Sequence, residues 1–141
     1  MKFMIPALVA AGLVAAPAFA SGDVEKGKRA FNQCQTCHIV ADAAGNTLAG
    51  RAAKTGPNLY GVIGRQAGTA EGFGGYGDSL VQAGVNGLAW DEYSFVAYVQ
   101  DPTGYLREVL GDKKARGKMS FKVRKESDAE DLYAFLVSLA Q

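Results

Sequence analysis

All the thiol and imidazole in this 141-residue chain fall within five consecutive residues, Cys34-Gln35-Thr36-Cys37-His38, because two cysteines and one histidine are its whole complement. No other feature restricts the fold and chemistry as much. A zinc site wants four ligands, typically Cys and His, and here those types supply only three. A thioredoxin-like dithiol belongs in a βαβ setting, and no such pattern surrounds this stretch. A plain disulfide is chemically allowed but leaves His38 without a role. C-x-x-C-H is the attachment pattern for c-type haem. Each thiol adds to one vinyl group of the porphyrin, the two-residue gap lets one turn of chain reach both vinyls, and His38 is held under the iron as its proximal ligand.

The first twenty residues have the build of a secretory leader. Met1-Lys2 gives a positive start, Phe3 to Ala16 is an apolar run, and Ala18-Phe19-Ala20 is a small-x-small cleavage site. A membrane anchor is the competing reading. The run is shorter than the roughly 20 residues a bilayer needs, and Pro6 and Pro17 interrupt it. The expected organisation is a signal peptide over 1–20, cleaved after Ala20, and one domain over 21–141 in the periplasm. Loss of Lys2 then leaves 14 basic residues against 14 acidic ones. A formally neutral domain of this size argues against nucleic acid as a partner.

The sixth position of the iron needs a second donor, and no other histidine exists. Met1 and Met4 leave with the leader, so Met119 is the only thioether of the expected domain. A lone methionine is commonly a core gap-filler. Met119 instead lies in Gly117-Lys118-Met119-Ser120-Phe121, a basic loop segment off any apolar helical stripe. Met/His ligation raises the reduction potential of a haem, and Met119 is the candidate ligand.

Helix signals frame these residues. Asp23 to Cys34 reads as a helix with Asp23 as N-cap and Val24, Ala30 and Phe31 on one face, Gly27 leaving room for a neighbour. Residues 39–66 are punctuated by glycine and read as loop with short turns, as do 68–77. Short helices follow over 78–83, over 91–100 with Phe95, Val96 and Val99 apolar, and from Asp101-Pro102 to near Gly111. Ser127 and Glu130 form a capping box for a last helix carrying Leu132, Phe135, Leu136 and Leu139. No strand pattern or repeat is evident. The expected fold is all-α: about five short helices and long loops around one haem.

Taken together, Gly22-Asp23-Val24-Glu25-Lys26-Gly27, the C-x-x-C-H stretch, Thr55-Gly56-Pro57-Asn58-Leu59-Tyr60-Gly61, Gly64-Arg65, Gly87-Leu88-Ala89-Trp90, Tyr98-Val99-Gln100-Asp101-Pro102 and Gly117-Lys118-Met119-Ser120-Phe121 resemble the class I cytochromes c, and among them the bacterial cytochrome c2 subgroup. The resemblance spans nearly all of 21–141. It implies that the Pro57 carbonyl accepts a hydrogen bond from the His38 ring, orienting it. It implies that Arg65, Tyr76 and Trp90 donate to a buried haem propionate, since an unpaired buried carboxylate is costly. Arg65 as a solvated loop charge and Trp90 as a packed core ring are the plainer readings. It places Tyr98 beside the methionine ligand, and makes Gly27, Phe31, Leu132 and Phe135 the crossing of the first and last helices. Phe31 stands three residues before Cys34, one fewer than in mitochondrial relatives. Segments 41–52 and 107–117 are longer than in the shortest members.

The function the resemblance implies is a monomeric, mono-haem electron carrier rather than an enzyme. Its expected donor is a cytochrome bc1 complex, and its acceptor a photosynthetic reaction centre or a cytochrome oxidase. Arg107 to Lys125 holds eight basic residues against Glu108 and Asp112. Within it Lys113, Lys114, Lys118 and Lys122 are expected to form the basic docking face. The alternatives are a haem enzyme or gas sensor with an open sixth position, which requires Met119 unbound, and a colourless disulfide-linked interaction module.

Overall fold

A computed structural model describes residues 21–141, so the expected leader over 1–20 lies outside the described residues. Helix α1 (Val24–Ala30) starts where expected, because the Asp23 carboxylate accepts the Lys26 N–H at 2.8 Å. Its end differs from the reading. The last turn tightens into a 3₁₀ segment, Phe31–Gln33, which delivers the chain to Cys34. Val24 also departs from the expected apolar face: it is 40% exposed, whereas Gly27 and Phe31 are buried.

The segment read as loop from residue 39 contains a small hairpin. Strand β1 (Ile39–Ala41) pairs antiparallel with β2 (Thr47–Gly50), with an irregularity between Val40 and Ala41. Strands of three and four residues are too short for alternation to register in the sequence. The Asp42 side chain holds the connecting turn by accepting the N–H groups of Ala44 and Asn46 at 3.0 and 2.9 Å.

The remaining helices are α2 (Asp78–Val85), α3 (Glu92–Gln100), α4 (Pro102–Leu110) and α5 (Glu126–Leu139). Asp91 caps α3 in a reciprocal box with Ser94: the Asp91 carboxylate accepts the Ser94 N–H at 2.8 Å, and the Ser94 hydroxyl accepts the Asp91 N–H at 2.9 Å. Pro102 opens α4 after Asp101, and Gly111, at φ 60°, closes it in the left-handed conformation that glycine adopts freely. The expected Ser127–Glu130 capping box does not form. Helix α5 begins two residues earlier, with Lys125 at the cap and no side-chain cap bond, which places Ser127 inside the first turn. Glu126 and Asp128 meet the positive helix end instead.

Helix α1 crosses α5, which also carries α3, and α2 packs on α4. At the main crossing the Phe31 and Phe135 rings lie 5.7 Å apart. Leu132, Phe135 and Leu136 are buried, as the helical spacing predicts, and so are Phe95, Val96 and Val99 of α3. Among the described residues no helix is long and apolar enough to cross a membrane.

Candidate haem site

The C-x-x-C-H stretch forms one turn of backbone. The N–H groups of Cys37 and His38 both return to the Cys34 carbonyl, at 3.1 and 2.9 Å. Both cysteines are half-buried and not joined to each other. Burial first, and then the neighbouring Cys37, push the Cys34 thiol up to about 11. A redox dithiol requires the opposite shift. Among the described residues no group of three or more His, Cys, Asp and Glu side chains is placed to hold a metal ion.

The His38 ring is tightly constrained. Its Nδ1 lies 2.8 Å from the Pro57 carbonyl oxygen. A carbonyl only accepts, so Nδ1 carries the proton and Nε2 presents its lone pair. Burial lowers the His38 pKa, while the Pro57 bond opposes that shift. The resulting neutral imidazole is the form that ligates iron. Gly56 lies over the ring: a Cβ there would stand 2.7 Å from Nδ1 and 2.9 Å from Nε2. The Gly56 N–H donates to the Cys37 carbonyl at 2.7 Å, pinning this loop to the cysteine turn. Asn58 ties it to β1, accepting the Ala41 N–H at 3.0 Å and donating to the Ala41 carbonyl at 2.8 Å. The donor set, with no partner for Nε2 among the described residues, fits a haem iron.

Arg65, Tyr76, Trp90 and Tyr98 come from four separate segments. The Arg65 guanidinium donates to the carbonyls of Asn58 at 3.2 Å and Tyr60 at 3.4 Å. Burial lowers its pKa, and the adjacent Tyr76 partly offsets this. The Tyr76 hydroxyl accepts the Ala70 N–H at 3.0 Å. The backbones of Arg65 and Trp90 are hydrogen-bonded, Trp90 N–H to Arg65 O at 3.0 Å. The indole of Trp90 lies 4.9 Å from the Tyr98 ring, which stands edge-on to Tyr105 at 6.2 Å. Burial, with Tyr76 nearby, pushes the Tyr98 hydroxyl up to about 12, so it is a neutral donor. Arg65 is therefore half-buried rather than a solvated loop charge, and Trp90 is a packed ring.

Met119 is half-buried and packs against the core from its loop. Lys113, Lys114, Lys118 and Lys122 are exposed. Two of them are engaged. Lys122 pairs with Asp101 at 2.9 Å, and Lys118 donates to the Gly75 carbonyl at 3.1 Å.

The chain is 58% identical over 142 residues to a cytochrome c2 of Cereibacter sphaeroides, covering 99% of this chain and 98% of that one. It is 66% identical over 119 residues to a cytochrome c2 of Rhodovulum adriaticum, covering 84% of this chain and 94% of the relative. The chain belongs to the cytochrome c2 family. The solved cytochrome c2 of Rhodobacter sphaeroides superimposes with a TM-score of 0.84 at 60% identity, over 85% of this chain and 98% of that one. Cytochrome c-550 of Paracoccus versutus superimposes with a TM-score of 0.79 at 39% identity, over 86% of this chain and all of that one. No protein-family model matches the chain.

As a cytochrome c2, the chain has the all-α class I cytochrome c fold, one covalently attached haem c, and electron transport as its activity. The roles of Gly56 and Asn58 around His38 are the part of the site that residue-level reading missed. Both lie beside Pro57 in a segment that its glycines mark only as loop with short turns. Neither carries a chemical signal of its own, since one acts by lacking a side chain and the other by tying backbone to backbone.

Proposed function

We propose that this cytochrome c2 is a soluble periplasmic carrier that moves single electrons from a bc1-type complex to a photosynthetic reaction centre or a terminal oxidase, and transforms no substrate itself. The observation that carries the reading is the His38 ring, neutral and fixed by Pro57 through Nδ1, with no hydrogen-bond partner for Nε2 among the described residues. Cys34 and Cys37 would carry the two thioethers, and His38 and Met119 would hold the iron. The haem supplies a one-electron change at the iron. The chain's own residues keep that change from moving anything else. Pro57 holds the imidazole proton on Nδ1, and Gly56 keeps the ring from tilting. Arg65, Tyr76 and Trp90 meet the charge of a propionate. Tyr98 stays protonated, so its hydroxyl would act on a bound iron as a dipole and not as a charge. Two fixed ligands and a packed surround keep reorganisation small.

The acceptor side is read by charge. Lys113, Lys114, Lys118 and Lys122 form the basic face that steers the protein onto acidic docking surfaces. The export reading rests on the leader pattern of residues 1–20.

One preparation tests the core of this reading. The exported protein should carry the added mass of one haem on a chain beginning at Ser21. Its oxidised spectrum should contain a methionine–iron charge-transfer band that Met119→Ala abolishes. A colourless protein overturns the haem sites, and a band absent from the wild type turns the reading to an open-site enzyme or sensor.

A further inference from the structure

The long segment after α4 crosses the first turns of two packed helices on its way to Met119. Ser79 is the second residue of α2 and Thr103 the second residue of α4. The Ser79 hydroxyl accepts the N–H of Arg116 at 3.0 Å, and the Thr103 hydroxyl accepts the N–H of Gly117, also at 3.0 Å. Two consecutive amides of the strap are thus held by two hydroxyls from different helices. The approach at Gly117 is close: a Cβ there would stand 3.3 Å from the Pro102 Cβ and 3.4 Å from the Thr103 Oγ1. The next fixed backbone point is Val123, whose N–H donates to the Val99 carbonyl at 2.8 Å. Met119 therefore stands two residues beyond the Thr103 tie and four before the Val123 tie.

We propose that Ser79 and Thr103 are positioning residues for Met119, clamping the strap so that its thioether is presented to the iron. The inference rests on the assignment of Met119 as the axial ligand. A thioether is a neutral, soft ligand, so its occupancy depends on how little the loop gains by moving away. Each hydroxyl–amide bond that survives only in the ligated arrangement shifts that balance. Losing the Thr103 bond leaves the half-buried Gly117 N–H without its partner, whereas the exposed Arg116 N–H can turn to water when Ser79 is lost.

The test uses the holoprotein and free imidazole as a competitor for the iron. Thr103→Val should tighten imidazole binding about fivefold, the equivalent of one ordinary hydrogen bond, and Ser79→Ala, whose partner amide is exposed, should tighten it less. Both should lower the midpoint potential, as weakened Met/His ligation requires. Thr103→Ser keeps the acceptor and should restore wild-type values. The double variant should be non-additive, because both hydroxyls hold one strap. Wild-type imidazole affinity and potential in Thr103→Val overturn the clamp, provided the wild type shows the charge-transfer band and Met119→Ala loses it. If Met119→Ala keeps the band, the ligand assignment fails, and the positioning role falls with it.

Discussion

Gly27 of α1 sits so close to Asp131 of α5 that a Cβ on the glycine would occupy the space of the Asp131 carbonyl. The same aspartate accepts the Asp23 N–H through its side chain at 2.6 Å, so α5 also holds the start of α1. Two effects oppose each other in Gly27→Ala. Helix propensity favours alanine by about 1 kcal/mol, whereas forcing a methyl into a packed contact costs about 1–3 kcal/mol. The obstacle is backbone and not a flexible side chain, so sterics should win. Thermal unfolding of the holoprotein should give a lower midpoint for the alanine variant. An unchanged or raised midpoint rejects the close crossing.

Gly56 offers the same argument at the site. A methyl there would press on the His38 ring and pull Nδ1 from the Pro57 carbonyl. That hydrogen bond makes the imidazole more electron-rich and favours ferric iron, which lowers the potential. Gly56→Ala should therefore raise the midpoint, by up to about 40 mV for the loss of one ordinary hydrogen bond. The Nδ1 proton should also exchange faster with solvent. Redox titration and proton NMR of the reduced protein measure the two effects independently, and a midpoint equal to the wild type removes Gly56 from the ring's support.

How much of this was legible follows from what each residue does. Cys34, Cys37 and His38 announce themselves because three scarce chemistries are adjacent. Asp91 and Asp101-Pro102 mark helix starts through local hydrogen bonding and a fixed φ, which operate within a few residues. The hairpin at 39–50 was invisible because its strands are too short to alternate. Ser127–Glu130 fits the capping pattern, yet helix α5 starts at Glu126, with Lys125 at the cap, so a correct local motif lost to its register. The Thr103–Gly117 and Ser79–Arg116 bonds join residues 14 and 37 positions apart, and no spacing rule reaches that far.

The α3 cap carries a pH dependence with a definite sign. The Ser94 N–H and hydroxyl hold the Asp91 carboxyl below its usual value near 3.8. Its folded pKa is depressed, so its stabilisation is complete above the unfolded value and disappears as pH falls through the folded one. Asp91→Ala should cost about 1 kcal/mol at neutral pH and progressively less in acid. Asn caps as well as Asp, so Asp91→Asn should keep most of the stability and lose this part of the pH dependence. Urea unfolding at neutral pH and near pH 3 compares the three proteins, and equal losses for Asp91→Ala at both pH values contradict the assignment.

The Lys122–Asp101 pair makes the docking face testable by adding charge as well as by removing it. Both partners are more than half exposed, so the pair contributes little to stability. Asp101 also accepts the Gly104 N–H at 3.3 Å as the cap of α4, and asparagine can take over that bond. Asp101→Asn should therefore fold normally, release Lys122, and leave the basic face one charge more positive. A unit charge about 10 Å from an acidic partner group is worth ~0.4 kcal/mol in water, roughly a twofold change in encounter rate. Stopped-flow electron transfer to an acidic redox partner at low ionic strength should be faster in Asp101→Asn and slower in Lys113→Gln. Both should approach the wild-type rate as added salt shortens the screening length to a few ångströms. Rates that do not separate at low salt would show that this face does not meet the partner.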